Sequence, residues 1–296
     1  MNKIAAIVVT YNRKILLKDC INKLKNQTID SDIIIIDNGS TDGTENFITD
    51  LKENIQYFNT GSNLGGAGGF SYGINKAIEL GYDYLWLLDD DTMPTQTALE
   101  MLIEKDKELK GEYGFLTSKV LWKDGSICVM NIQKKSKWRY LKDFNRSDIV
   151  QYASFVSLFI KASTVVKIGL PYKEFFIWSD DWEYTRRISK KERCYFVPES
   201  IVYHWCDRNI GANIVLTDSE RMERFKYMYR NDVVLYRQDG VEGFFYLFIR
   251  NIIHKFRIYR AGKNIKEKVK LIKKATNEGK KFYPQIEFPT KNINQR

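Results

Sequence analysis

Apolar positions in the first ninety residues gather into three short, nearly unbroken runs, Ile4–Val9, Ile33–Ile36 and Tyr84–Leu88. They are rich in β-branched or aromatic residues, which suits strands of a parallel sheet buried on both faces. Between them the spacing becomes helical, with Ile15, Leu16, Ile21 and Leu24 after the first run and Ala77, Ile78 and Leu80 before the third. Strand–helix alternation predicts an α/β fold with a doubly wound sheet, and right-handed crossovers bring the post-strand loops to one edge.

The pattern changes after about Ser118. Gly125–Ser136 reads as an irregular or antiparallel insert, Tyr152–Ile160 as a further strand, and Asp181–Lys190 as an amphipathic helix. Tyr195–Val197 and Ile201–Tyr203 flank Pro198, and from Ser219 onward the chain reads as helical and basic.

The three early loops carry candidate chemistry. Asp89-Asp90-Asp91 ends an apolar run, and clustered carboxylates at a sheet edge are costly unless a cation neutralises them; a solvated acidic turn before Pro94 is the plain alternative. Asp37-Asn38-Gly39-Ser40 offers an acceptor for a ring N–H or a ribose hydroxyl, while Asp42 followed by Glu45 has the spacing of a capping box. Asn63-Leu64-Gly65-Gly66-Ala67-Gly68-Gly69 precedes a helical pattern, where glycines would let a phosphate or sugar approach the backbone. It lacks both the Gly-x-Gly-x-x-Gly spacing and a following Gly-Lys-[Ser/Thr], and a plain turn remains open. Later, Asp180-Asp181 opens a helix among aromatics, one carboxylate suited to capping and the other to general-base work, with a cap plus exposed charge as the alternative. His204, in Val202-Tyr203-His204-Trp205, joins the carboxylates as a candidate ligand for Mn²⁺ or Mg²⁺.

Composition narrows the setting. The 44% hydrophobic content is enough for a proper core. Cys20, Cys128, Cys194 and Cys206 form no Cys-x-x-Cys pair, which fits reduced thiols and offers no disulfide framework or zinc motif. The first residues read as a strand, not a signal peptide, and no window holds 18 uncharged apolar residues. Net charge is +10, but Arg221–Arg296 carries 19 Lys+Arg against 7 Asp+Glu, and the preceding 220 residues are nearly balanced. No nucleic-acid-binding motif accompanies that charge, so no nucleic-acid partner is expected. Gly243–Arg260 is apolar and interrupted by cations, which suits a helix lying in an anionic membrane surface, supported by Lys263–Lys281. Packing of Phe244–Phe248 on the catalytic region, or on a second subunit of a homo-oligomer, is the alternative.

In this order the motifs resemble the family 2 inverting glycosyltransferases of the GT-A fold, most of all the galactofuranosyltransferase and rhamnosyltransferase branch. The resemblance covers residues 3–206, about two thirds of the chain. It implies a catalytic domain over residues 1–215, with a donor half to about 120 and an acceptor half beyond, followed by a helical basic region over 216–296. Thr10, Tyr11, Arg13, Asp37, Asn38 and Asn63 match positions that grip the nucleoside and its phosphates, with Asn12, Ser40, Gly65, Gly66, Asp89 and Asp90 completing the donor set. Asp89 and Asp91 match the ribose- or metal-handling pair, His204 the late metal ligand, and Asp181 the base, with Asp180 as the neighbour that could hold that role. The implied activity is transfer of a sugar from a UDP- or dTDP-sugar to a lipid-linked glycan, on the cytoplasmic face of the membrane. Asn38 lies in a glycosylation sequon inside the expected donor site, which also argues for a cytoplasmic protein. The processive-synthase Gln-x-x-Arg-Trp signature is missing, which favours addition of one or a few sugars. The competing classes are a nucleotidyltransferase, which needs a Gly-rich loop after the first strand where Thr10–Arg13 has no glycine, and a non-catalytic nucleotide-binding module.

Overall fold

The computed structural model describes residues 2–51, 55–217 and 222–290. The strands are β1 (Ile4–Thr10), β2 (Asp32–Asp37), β3 (Ile55–Asn59), β4 (Tyr84–Asp89), β5 (Thr92–Pro94), β6 (Phe115–Trp122), β7 (Lys134–Ser136), β8 (Arg139–Tyr140), β9 (Asp148–Ile149), β10 (Leu158–Lys161) and β11 (Tyr195–His204). The helices are α1 (Lys14–Lys25), α2 (Thr44–Asp50), α3 (Gly65–Glu79), α4 (Ala98–Glu108), α5 (Ala162–Ile168), α6 (Asp180–Ser189), α7 (Phe225–Arg237), α8 (Gly240–Ala261) and α9 (Ile265–Lys281).

Nine strands form one sheet in the order β3-β2-β1-β4-β10-β6-β11-β5, with β9 beside β11. The β3-β2-β1-β4 half is parallel, whereas β10 runs antiparallel to both β4 and β6. This is the expected doubly wound mixed sheet. Alternate residues of the central strands feed two cores. Ile7, Ile34, Ile36 and Leu87 face α3, while Ala6, Val8, Ile35 and Leu88 face α1 and α4. Burial on both faces explains why these strands read as unbroken apolar runs. Their register aligns Thr10 with Asp37, and Val9 with Asp89, so the polar ends of β1, β2 and β4 emerge side by side.

The structure revises four local expectations. The glycine stretch lies inside α3 from Gly65 onward, because helix and sheet are too close for side chains: a Cβ on Gly69 would sit 2.5 Å from Val9, and one on Gly73 2.7 Å from Ile7. Only Leu158–Lys161 of the run beginning at Tyr152 is a strand. Tyr152, Phe155 and Val156 are apolar because each enters a different core. The two segments around Pro198 are one strand, β11, with a register shift between Val197 and Ile201. In place of a capping box, Gly43 leads α2, while Asp42 accepts from the Thr44 N–H and hydroxyl and from the Lys14 N–H, tying α1 to α2.

The C-terminal helices share cores with the rest of the chain. Val233, Leu235, Tyr236 and Leu247 pack with Tyr152 and Trp182, and Val234 packs with Ala67 and Phe175. Helix α9 covers α7 through Val269, Ile272 and Ala275 against Phe225, Met228 and Tyr229. The outer face of α8 is bare: Val241, Phe244, Phe245, Phe248, Ile252 and Phe256 are all exposed. Phe244 to Phe248 therefore do not pack as a block on the catalytic region; only Tyr246 and Leu247 turn inward. No helix among the described residues is long and apolar enough to cross a membrane.

Candidate active site

The edge formed by β1, β2 and β4 gathers the expected donor residues. Thr10 Oγ1 donates to Asp90 at 2.8 Å, and the Arg13 guanidinium bridges Asp90 at 3.2 Å and Asp91 at 2.7 Å. Asp37 is fully buried and accepts from the Ser40 N–H and the Tyr57 hydroxyl. Asn12 N–H donates to Ser40 Oγ, and Asn12 Oδ1 accepts from Thr41 N–H, which locks the first loop to the second. Tyr11 stands exposed at the mouth.

Asn38 and Asn63 are committed to the start of α3. Asn38 Nδ2 donates to the Gly65 carbonyl, and Asn63 Oδ1 accepts from the Gly65 N–H. Gly65 itself has φ +71°, and an added Cβ would collide with the Phe176 carbonyl. Its lack of a side chain thus answers to a crossing segment of the protein. Gly66 faces open space.

Asp89, Asp91 and His204 present ligand atoms within 4.8 Å of one another. His204 Nδ1 lies 2.8 Å from Asn131 Oδ1, and Asn131 spends its own Nδ2 on Ser154 Oγ. The Nδ1 nitrogen therefore carries the proton, which frees Nε2 for a cation. Asp91 Oδ1 is buried without a hydrogen-bond partner and lies 3.1 Å from that Nε2. An orphaned carboxylate oxygen facing an imidazole nitrogen, with a second carboxylate alongside, fits a hard divalent cation such as Mn²⁺ or Mg²⁺.

The charges are strongly coupled. Burial and the Asp91 charge push Asp89 up to about 6 and Asp90 up to about 7. Burial also acts on Asp91, but the neighbouring imidazole and charge of His204 and the charge of Arg13 hold it below the usual carboxylate range. His204 is raised despite burial, because Asp91 favours its charged form. Cys128 and Cys206 also lie beside His204, a thiol group that the sequence spacing had not suggested. Cys128 approaches the Nδ1 side, where its sulfur is 3.8 Å away and Asn131 already occupies the nitrogen.

Asp180 and Asp181 open α6, and burial is the first cause of the rise in both. Asp180 is pushed up to about 7, and Asp181 is raised well above the usual carboxylate range, with the Asp180 charge as second cause. The charge of Asp89 contributes to both shifts, so the acid pair lies within electrostatic reach of the carboxylates of β4. Asp181 Oδ1 accepts from the Trp182 N–H at 2.7 Å.

Several groups at the site carry no local sequence signal. Asn131 comes from a single 3-10 turn in the irregular insert. Lys134 is buried, with its amine 3.6 Å from the Trp182 ring centroid and 4.7 Å from that of Tyr140. Burial, followed by the charge of Arg250, pushes that amine down to about 7, against the opposing charges of Asp232 and Asp181.

The fold is of the GT-A type, and residues 5–114 match the model of Glycosyl transferase family 2, so this part of the chain carries a domain of that family. Among curated relatives, galactofuranosyltransferase GlfT1 of Mycolicibacterium smegmatis is 28% identical over 197 residues, 62% of this chain and 65% of that protein. The match thus spans slightly less than two thirds of the relative's length. The GalNAc(5)-diNAcBac-PP-undecaprenol beta-1,3-glucosyltransferase of Campylobacter jejuni is 33% identical over 113 residues, 36% of each chain. Among solved structures, GalNAc-T7 with UDP, GalNAc and Mn²⁺ superposes with a TM-score of 0.62 at 14% identity, over 92% of this chain and 55% of that one. That likeness concerns the fold.

Proposed function

We propose that the chain is a divalent-cation-dependent inverting glycosyltransferase. It moves a hexosyl group, galactofuranose or rhamnose, from a UDP- or dTDP-sugar to a hydroxyl of a lipid-linked glycan in cell-surface polysaccharide synthesis. The observation that carries this reading is the presence of two acidic groups within electrostatic reach of one another. One, Asp89 and Asp91 with His204, suits a cation; the other, Asp180 and Asp181, is elevated by burial and suits proton transfer. A binding module has no use for the second, and a nucleotidyltransferase would need a Gly-rich first loop that Tyr11-Asn12-Arg13 does not supply.

Roles follow from position. Asp37, Ser40 and Tyr57 line the place of the nucleoside base, and Thr10, Arg13 and Asp90 that of the ribose and diphosphate. A cation held by Asp89, Asp91 and His204 would supply neutralisation of the diphosphate's charge. Arg13, half exposed, adds a mobile positive charge at the mouth, aimed where negative charge develops. Asp181 takes the proton of the attacking acceptor hydroxyl on the face opposite the diphosphate, and attack from that face inverts the anomeric centre. Lys134 and Trp182, beside Asp181, form the near wall of the acceptor space.

The names of the relatives support the sugar class, and the C. jejuni relative is named for an undecaprenol-linked acceptor. An insoluble acceptor requires the enzyme to meet a membrane, and the bare face of α8 supports docking there, on the cytoplasmic leaflet. Two cations expected to face headgroups turn inward: Arg250 pairs with Asp232, and Lys268 donates to the Val215 carbonyl. Lys255, Arg257, Arg260, Lys263 and Lys266 remain for that surface.

A panel of UDP- and dTDP-sugars with Mn²⁺ and a polyprenyl-diphosphate glycan, read by nucleoside diphosphate release and product stereochemistry, tests the proposal. Release of UDP or dTDP with inverted product is expected. No release with any donor, or retained configuration, would overturn it.

A further inference from the structure

Three of the four residues leading into α6 have left-handed backbone without being glycine: Phe176 at φ 65°, Trp178 at 65° and Ser179 at 63°. Such conformations are costly for residues with a Cβ, the more so for bulky ones, and persist only where the surroundings over-determine them. The surroundings here come from α7, some fifty residues later in the chain. Asn231 is fully buried, and its amide nitrogen donates to the carbonyls of Phe175 at 3.0 Å, Ile177 at 3.3 Å and Trp178 at 2.9 Å. Its neighbour Asp232, also buried, accepts the Ser179 hydroxyl at 2.8 Å through one oxygen and pairs with Arg250 of α8 through the other. On the opposite side the Phe176 carbonyl accepts from the Ala67 N–H and fills the space above Gly65.

The chemistry of the pair suits this task. Carbonyls converging on one point need a compact donor with more than one N–H, which a side-chain amide nitrogen supplies and a carboxylate or aliphatic group does not. The Ser179 hydroxyl, at the residue before α6, needs a fixed acceptor, and Asp232 is itself fixed by Arg250. A polar pair on the core face of a helix, with Met228, Tyr229, Val233 and Val234 around it, is expensive unless fully bonded, and here it is.

We propose that Asn231 and Asp232 are positioning residues for the transfer reaction, holding the 175–179 backbone in its strained path so that Asp180 and Asp181 face the donor edge. The proposal rests on the reading of that acid pair given above. A base displaced by about 1 Å can lose two orders of magnitude in rate. If the pair served stability alone, its loss would lower the melting temperature and leave turnover per folded molecule unchanged.

The test uses the full chain carrying Asn231→Ala and, as a milder break, Ser179→Ala, which removes only the hydroxyl link to Asp232. Amide hydrogen exchange should accelerate over 174–182 in both, with β1, β2 and β4 unchanged. The turnover number should fall about 10–100-fold in Asn231→Ala and less in Ser179→Ala, with donor affinity held within about twofold. Should Asn231→Ala not fold, Ser179→Ala decides by the same readings. Unchanged exchange at 174–182, or faster exchange with wild-type turnover, would overturn the proposal. A wild-type chain that transfers nothing, or an Asp181→Asn variant as active as wild type, would instead fail the functional reading, and exchange would still decide whether the pair holds the loop.

Discussion

The carboxylates of the strand edge and those at the start of α6 lie within electrostatic reach of one another, yet different parts of the chain put them there. At the donor edge each side chain sits within a few residues of its own strand end, and parallel pairing of β1, β2 and β4 brings the ends together. The partners of Thr10, Asn12 and Asp37 are other loop residues of the same edge. The α6 carboxylates depend on a backbone that no local preference favours, held by side chains of α7 and α8. One site therefore combines a strand-built half, robust to change nearby, with a half exposed to changes far away in sequence.

Catalysis gives the sharpest test of that division. Asp181→Asn should lower turnover about 10²–10⁴-fold while donor affinity stays near wild type, because the base acts on the acceptor. Wild-type turnover in Asp181→Asn together with a collapse in Asp180→Asn would move the role by one residue. Stability should separate the two halves next. Arg250→Met strands the buried Asp232 and should cost about 3–5 kcal/mol in chemical denaturation. Arg13→Met takes a half-exposed guanidinium from the buried Asp90 and Asp91, a partner that water and a proton on Asp90 partly replace, and should cost less, about 1–2 kcal/mol. Equal losses would erase the distinction drawn here.

The cation site has its own distant support. Asn131→Ala removes the acceptor that fixes the His204 tautomer, and loss of such a partner weakens metal affinity about 10–100-fold. Mn²⁺ titration by calorimetry reads this directly, and an unchanged affinity would free His204 from the assigned role. Acidity should act in the same direction. A cation must displace protons from Asp89, pushed up to about 6, and from His204, held charged by Asp91. Affinity thus rises with pH, and the gain in melting temperature at fixed Mn²⁺ should be larger at pH 7.5 than at pH 5.5. A gain that does not vary over that range would place the cation elsewhere.

The smallest effect on folding is expected at the bare face of α8. Phe245→Ser with Phe248→Ser should change stability by only about 0.5 kcal/mol per site, because both rings are exposed. The same double variant should lose co-flotation with anionic liposomes, and full retention would remove this face as the docking element. Substitution is preferable to truncation at Asp239. That residue pairs with Arg186 and Lys137 in the interior, and the helices after it cover α7.

The same division decided what the sequence could disclose. Strands buried on both faces announce themselves as apolar runs, so the sheet, its edge and the acidic triplet were all within reach of pattern reading. The glycines before Phe70 were noticed, but spacing alone cannot tell a backbone that must approach a ligand from one that must approach Val9. Asn131 and Lys134 sit in an irregular segment whose course depends on contacts with β6, Tyr152 and Trp182, and no period marks such residues. Asn231-Asp232 did leave a trace, two polar residues on the apolar stripe of a helix, but their partners at 175–179 have no pattern of their own.

The dependence of α6 on α7 also orders events during synthesis. Ser179 and its partner Asp232 are 53 positions apart. At about 5–20 residues added per second, the ribosome takes ~3–10 seconds to travel that distance. In that interval β1, β2 and β4 have already been made, and the edge they form can assemble. The 175–179 segment has meanwhile no amide to receive its carbonyls and no reason to leave ordinary backbone conformations. A nascent chain is thus able to assemble the β1, β2 and β4 edge before the acid pair of α6 is fixed, and the site is complete only with the last helices.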